Sequence, residues 1–353
     1  WHHSPSYPLL QPAVLANLAR LFGAPAARLV FALLWLGLVL TAGLATWRSG
    51  LGSRRAAWVT LAVATTPFFV NPGGGGADSG YAEVFFAFAL TAAAAGLLLG
   101  DGVLLAAATF LLPLLKPEGT VLVPIVALVL FVLGERRWWW PTLGAGGLAL
   151  ALQWQLQDRL VHHREAVSSV AAWLPFAAVA IALVPIGIRW LLDRLGCGRG
   201  IRVSVAVGVA ATGIAILLAL PAGGEGAVLG QFLAGFDRIG GKLVDLPTIL
   251  VGLPASALSL RRFGLTFWLL LPALWLLWRR RGDPVVAATL PVVGLLALTL
   301  AAVFGAFLLS PETDVEHHLK SSAARLLSHQ VGVIWLLIAV ALPAANRPQP
   351  SSN

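Results

Sequence analysis

The chain has 353 residues, of which 58% are hydrophobic and 11% charged, with a formal net charge of +9 and a mean hydropathy of +0.86. That balance excludes a soluble globular domain and points to an all-α, polytopic transmembrane helical bundle. The positive charge does not mark a nucleic-acid binder, because the basic residues fall in short groups between apolar runs rather than along one polar face. A single cysteine, Cys197, excludes an internal disulfide framework. The chain contains no methionine and opens on Trp1 within polar sequence, which reads as an N-terminally truncated piece of a longer protein.

Taken in order, residues 1–25 read as the remainder of an outer loop carrying an amphipathic helix, with Leu15, Leu18 and Leu21 on one side. Apolar runs follow at 26–46, 56–70, 81–99, 102–115, 119–133, 138–156, 171–190, 203–220, 263–278, 285–309 and 331–343. These make about eleven spans of a hydrocarbon core roughly 30 Å thick, the second, fourth and last being short for a full crossing. The whole of 1–353 is then one integral-membrane domain: a helical bundle over 26–220, an outer loop with interfacial helices over 221–262, and C-terminal spans over 263–343. A polar outer helix at 311–329 interrupts those last spans, and 344–353 form a cytoplasmic tail.

The lysine and arginine bias of short loops orients such a bundle. With residues 1–25 outside, the inner loops hold Arg48, Arg54, Arg55, Arg136, Arg137, Arg189, Arg194, Arg199, Arg202, Arg279, Arg280, Arg281 and Arg347, against only four acids. All the net charge then lies inside. Tryptophans such as Trp47, Trp58, Trp275 and Trp278 flank those loops as an interfacial belt would. All seven histidines and 11 of the 15 acids fall on the opposite, extracytoplasmic side, although histidine played no part in setting the orientation.

The outer segments hold the candidate chemistry. In "NPGGGGADSGYAEVFF", Asp78 and Glu83 bracket the entry to a span; the structural alternative is a flexible turn with Glu83 at a helix N-terminus. In "LLPLLKPEGTVLVP", Lys116 and Glu118 interrupt two apolar runs, where a charge costs roughly 2.5–3.5 kcal/mol at membrane depth. Such residues are paired or functional, and mutual neutralisation is the plain account. His162 and His163 are adjacent, so on a helix they point about 100° apart and make no i, i+4 metal pair. In "SPETDVEHHLKSSAARLLSHQ", Thr313 to Glu316 match a capping box. From there Asp314, His318, Ser321 or Ser322 and Arg325 recur at helical spacing as a polar, mainly cationic stripe suited to phosphate, beside an apolar face of Val315, Leu319 and Leu326.

Together "HSPSYPLLQP", "GYAEVFFAF", "LLKPEG" and "DVEHHLKSSAARLLSHQ" resemble the bacterial integral-membrane glycosyltransferases of the GT-C fold, related to the dolichyl-phosphate mannose and lipid A aminoarabinose transferases. The resemblance covers essentially the whole chain. It implies an enzyme of the bacterial inner membrane, with its active face extracytoplasmic. The implied reaction is inverting transfer of a sugar from a polyprenyl-phosphate carrier to an acceptor hydroxyl at the outer leaflet, the acceptor being a glycan, a lipid or a protein. The family's usual aspartate lies just upstream of a "YPLL"-like segment, before this chain begins. What remains are Glu83 and Asp78 as catalytic carboxylates, Lys116, His318, Ser322 and Arg325 around the donor phosphate, and His3, Tyr7, Glu118 and Asp314 as further substrate contacts. No cofactor is certain; a divalent cation occurs in some relatives and not in others, which leaves metal open. Donor lipid and membrane lipids are the implied partners, and nucleic acid is not.

A transporter or lipid-linked glycan flippase is the alternative. It would carry ionisable residues near mid-membrane and an internal repeat, whereas here the charges gather at one rim. A non-catalytic scaffold would leave the outer histidines and acids unexplained.

Overall fold

The computed structural model describes residues 10–71, 82–116, 118–133, 139–160, 243–309 and 314–343, with isolated positions between 188 and 205. Every regular element among them is helical. His3, Tyr7 and Asp78 lie outside the described residues, as do the runs 171–187 and 206–220, most of the outer loop 221–262 and the tail 344–353.

The first elements are α1 (Leu10–Phe22) and α2 (Ala24–Thr46), with a π turn at Trp47–Leu51 leading into α3 (Ser53–Ala64). In α1 only Leu15 is buried, while Leu21 is 69% exposed, so the expected common apolar side is not shared: Leu15 faces the bundle and Leu21 does not. The chain leaves the π turn through Gly50 within it and Gly52 just beyond it, at φ 78° and 91°, positive values that side-chain-bearing residues rarely adopt. The expected run 56–70 is split by Pro67, which cannot donate to the preceding turn, and α4 (Pro67–Val70) starts there.

Next come α5 (Glu83–Leu99), α6 (Gly102–Leu115), α7 (Glu118–Leu133) and α8 (Trp139–Leu160). Gly100 ends α5 in the left-handed conformation, and the Asp101 carboxylate accepts from the N–H groups of Val103 and Leu104 to cap α6. In the C-terminal half are α9 (Leu246–Ala257), α10 (Leu260–Phe263), α11 (Thr266–Arg279), α12 (Pro284–Ala287), α13 (Leu290–Leu309), α14 (Val315–Ser328) and α15 (Val331–Ala341).

α5 and α15 form the middle of the bundle. Beyond Glu83 at the start of α5 both are apolar almost all round, as a buried helix must be, and 13 of the 17 residues of α5 and 10 of the 11 of α15 are buried. They approach closely where Gly332 faces Thr91: a Cβ at Gly332 would lie 2.2 Å from the Thr91 hydroxyl, the small-residue contact that lets helices pack in lipid. Around this pair lie α2, α3, α11 and α13. A second apolar cluster joins Ile249 of α9, Phe307 of α13, and Val315, Leu319 and Leu326 of α14, so the apolar face read from the sequence of α14 rests on the bundle.

By length and composition, two helices of the described residues can cross a membrane, Arg28–Leu51 and Pro284–Leu308. α14 and α15 add a third if the pair, bent by 51°, counts as one span. The other apolar helices, α5, α6, α7, α9 and α11 among them, are shorter. The described residues are thus an all-helical, membrane-type bundle with two or three clear spans; of the eleven expected runs, 171–190 and 203–220 lie largely outside the described residues.

Candidate functional site

Three of the expected residues meet at one end of the α5–α15 pair. Glu83 opens α5, where the positive end of the helix favours an acid, and it is fully buried. Its Oε1 accepts from two cations: Lys116 Nζ at 3.2 Å and Arg325 Nε at 2.7 Å. The two nitrogens therefore stand no farther apart than these bonds laid end to end, about 6 Å, a spacing one phosphate group spans with ordinary hydrogen bonds. Glu83 Oε2 is buried and has no hydrogen-bond partner among the described residues.

Local sequence explains how Lys116 reaches this point. Residue 116 ends α6 in an extended conformation, φ −149° and ψ 152°, as a residue before proline prefers. Its carbonyl accepts from Gly119 N–H at 2.9 Å. A Cβ on Gly119 would lie 1.9 Å from the Leu112 carbonyl oxygen, so only glycine lets the first turn of α7 press against α6. The "KPEG" break is thus a tight helical hairpin that directs the Lys116 side chain inward, where it is 2% exposed. Glu118 Oε1 lies 3.5 Å from Lys116 Nζ, and its side chain is 36% exposed.

Arg325 comes from α14 and remains 31% exposed at its side chain. Its partners on the expected stripe do not join it at Glu83. Asp314 is the N-cap of α14, its carboxylate accepting from His317 N–H at 2.9 Å. The capping bond observed on α14 is thus that of Asp314. Thr313 lies outside the described residues, and Glu316 pairs with Lys320 at 2.7 Å. The His318 ring packs on Phe307 of α13, with centroids 4.7 Å apart. Ser322 is half-buried beside Ser321, whose hydroxyl donates to the His318 carbonyl.

One neighbour of the cluster was not singled out from the sequence. His329, in the break between α14 and α15, is 2% exposed and packs its ring on Phe86, one turn into α5, at 4.5 Å. It lies within electrostatic reach of Lys116 and Arg325, and its Nε2 is buried without a hydrogen-bond partner among the described residues. The signal available was a His–Gln pair directly abutting an apolar run. Gln330 is buried too, its side-chain oxygen accepting from the Thr299 hydroxyl at 2.9 Å.

The opposite end of α15 is held by two arginines. Arg55 and Arg280 donate to the last carbonyls of α15 and the residues just beyond it: Arg280 to Val340, Ala341 and Leu342, and Arg55 to Ala339 and Pro343. Arg280 also pairs with Asp283 at 2.7 Å, and this hydrogen bond holds the Asp283 carboxyl below the usual carboxylate range. The Glu83 cluster and the Arg55/Arg280 cap are thus separated by the length of α15, roughly 16 Å for its 11 residues. Among the described residues, no three His, Cys, Asp or Glu side chains come together to hold a metal ion.

The chain matches no protein-family model and no curated protein sequence. It does match solved structures in fold. The crystal structure of an oligosaccharyltransferase from Archaeoglobus fulgidus, in complex with Zn and sulfate, aligns with a TM-score of 0.52 at 13% identity, over 96% of this chain and 40% of that one. The archaeal oligosaccharyltransferase AglB from Archaeoglobus fulgidus, in complex with an inhibitory peptide and a dolichol-phosphate, aligns with a TM-score of 0.52 at 14% identity, over 96% of this chain and 42% of that one. At these identities the likeness is one of fold, and the chain spans less than half the length of either neighbour.

Proposed function

We propose that the protein is a membrane glycosyltransferase that transfers a sugar from a polyprenyl-phosphate carrier to an acceptor hydroxyl at the extracytoplasmic face, with inversion. The observation that carries this reading is the convergence of Lys116 and Arg325 on one oxygen of buried Glu83, at a spacing fit for a phosphate. The oligosaccharyltransferase fold supports it. One of those neighbours holds a dolichol-phosphate, a lipid phosphate of the same chemical kind.

In the reaction, the bond between the anomeric carbon and the phosphate oxygen breaks and its electron pair stays on the phosphate. The acceptor oxygen bonds to the anomeric carbon and its proton passes to a carboxylate. Lys116 and Arg325 supply the charge that stabilises the departing phosphate, Arg325 through a planar fork suited to two oxygens at once. Glu83 fits the task of fixing those two cations better than that of a base, because it is fully buried and both cations already claim its Oε1. Asp78 then remains the candidate base of this chain. His318, Ser322, Asp314, His3 and Tyr7 are kept as contacts to donor or acceptor farther from the phosphate. A divalent cation, if used, would have to draw on acids beyond the described cluster.

The test is transfer of labelled sugar from a polyprenyl-phosphate sugar by membranes containing the protein, with release of polyprenyl phosphate. A flippase would move the lipid-linked sugar across the bilayer and release none.

A further inference from the structure

Glu118 is the most weakly held charge of the cluster. Its one contact with Lys116 is 3.5 Å long, against 3.2 Å for Glu83, and its side chain is 36% exposed where that of Glu83 is fully buried. Its other oxygen, Oε2, is buried and has no hydrogen-bond partner among the described residues, a desolvation that no hydrogen bond within them offsets. The backbone beneath is fixed by the close contact of Gly119 with the Leu112 carbonyl. Glu118 therefore moves by rotating its own side chain, and solvent is within its reach. Glu118 is thus the second carboxylate within ion-pair distance of Lys116, beside Glu83.

We propose that Glu118 is a displaceable counter-ion. Its carboxylate holds the place beside Lys116 that an anionic phosphate oxygen takes on binding, and it swings out to solvent when that phosphate enters. The proposal rests on the phosphate reading of the site given above. A sugar phosphodiester carries one negative charge, as the carboxylate does, so the exchange leaves the number of negative charges beside Lys116 unchanged. Glu118 thus weakens binding by competing for Lys116, and it refills the place when the lipid phosphate departs. Its role is the reverse of a substrate contact.

The experiment measures binding of polyprenyl phosphate to the protein in phosphatidylcholine nanodiscs, with uncharged polyprenol as control. Glu118→Gln keeps the shape and removes the competing charge; roughly two- to fivefold tighter binding of polyprenyl phosphate is expected, the range that partly exposed ion pairs span, with no change for polyprenol. Glu118→Asp, whose shorter side chain draws the carboxylate away from Lys116, should fall between wild type and Gln, which guards against a Gln variant that folds poorly. Equal binding by Gln and wild type overturns the competition, and weaker binding makes Glu118 a ligand contact instead. Absence of binding in wild type, with Arg325→Ala no different, would overturn the phosphate reading itself and the counter-ion with it. Loss of binding in Arg325→Ala with no effect of Glu118→Gln would overturn the counter-ion alone.

Discussion

Arg325 and Glu83 are 242 residues apart in the chain, yet Arg325 Nε lies 2.7 Å from Glu83 Oε1. The contact ties α14 to the start of α5, and Lys116 closes on the same oxygen from the end of α6. Three helix ends are thereby held by one buried carboxylate. Removing it takes from buried Lys116 its shorter carboxylate contact, and breaking a buried pair in this way costs about 3–5 kcal/mol. Glu83→Ala should lower thermal stability in detergent accordingly. The double variant Glu83→Ala/Lys116→Ala should lose less than the two single losses combined, because it leaves no lysine uncompensated. Additive losses, or a Glu83→Ala variant as stable as wild type, would show that the three groups are not coupled.

The hairpin that aims Lys116 depends on Gly119. An alanine there must push its methyl group against the Leu112 carbonyl, an overpacking that costs about 1–3 kcal/mol. Gly144, exposed on α8 with open space beside it, is the control: alanine there should be neutral or stabilising by up to about 1 kcal/mol, since glycine is the poorer helix former. Thermal unfolding of Gly119→Ala and Gly144→Ala decides this, and equal behaviour of the two would remove the packing argument for the "KPEG" turn.

Much of the cluster was legible because charge is conspicuous in apolar sequence. Glu83, Lys116, Glu118 and Arg325 stood out as ionisable residues that a membrane helix does not carry without a partner. The pairing in detail was less legible: Lys116 and Glu118, two residues apart, suggested each other, whereas the shorter contact of Lys116 is to Glu83, 33 residues away. Helical spacing placed Asp314, His318 and Arg325 on one stripe, but shared direction is not shared environment. Asp314 caps its own helix, His318 meets Phe307, and only Arg325 reaches the acid. His329 escaped notice because burial by Phe86 is a tertiary fact. Helix limits such as 102–115 were read closely because Asp101 and Lys116 mark them. The 56–70 run, short for a crossing in the sequence, is broken at Pro67, where α4 starts.

The two ends of α15 should face opposite sides of the membrane. In a Cys197→Ser background, a cysteine at the exposed Lys320 of α14 should react with an impermeant thiol reagent in intact cells. A cysteine at Gly282, beside the Arg280 cap, should react only after permeabilisation, because the basic end belongs inside. Labelling of both from the same side would overturn the orientation.

The Arg280–Asp283 pair gives a pH signature at that basic end. The Asp283 carboxyl lies below its ordinary range because Arg280 donates to it. Its contribution to stability is therefore present above the unfolded-state value and is lost as pH falls through the lower, folded-state value. The stability difference between wild type and Asp283→Asn should hold at neutral pH and vanish in acid. A difference that persists unchanged below the carboxylate range would mean that the charge of Asp283 is not what matters.

The proposed role of Arg325 in holding a donor phosphate is tested by sugar transfer from a polyprenyl-phosphate sugar by equal amounts of folded, membrane-inserted variants. Arg325→Ala should abolish or greatly reduce transfer. Arg325→Lys should restore it only in part, because lysine keeps the charge and loses the planar fork. His317→Ala, altering an exposed side chain on α14, should leave transfer near the wild-type rate. Wild-type transfer by Arg325→Ala would contradict the account and reduce the Glu83 cluster to a structural tie between α5, α6 and α14.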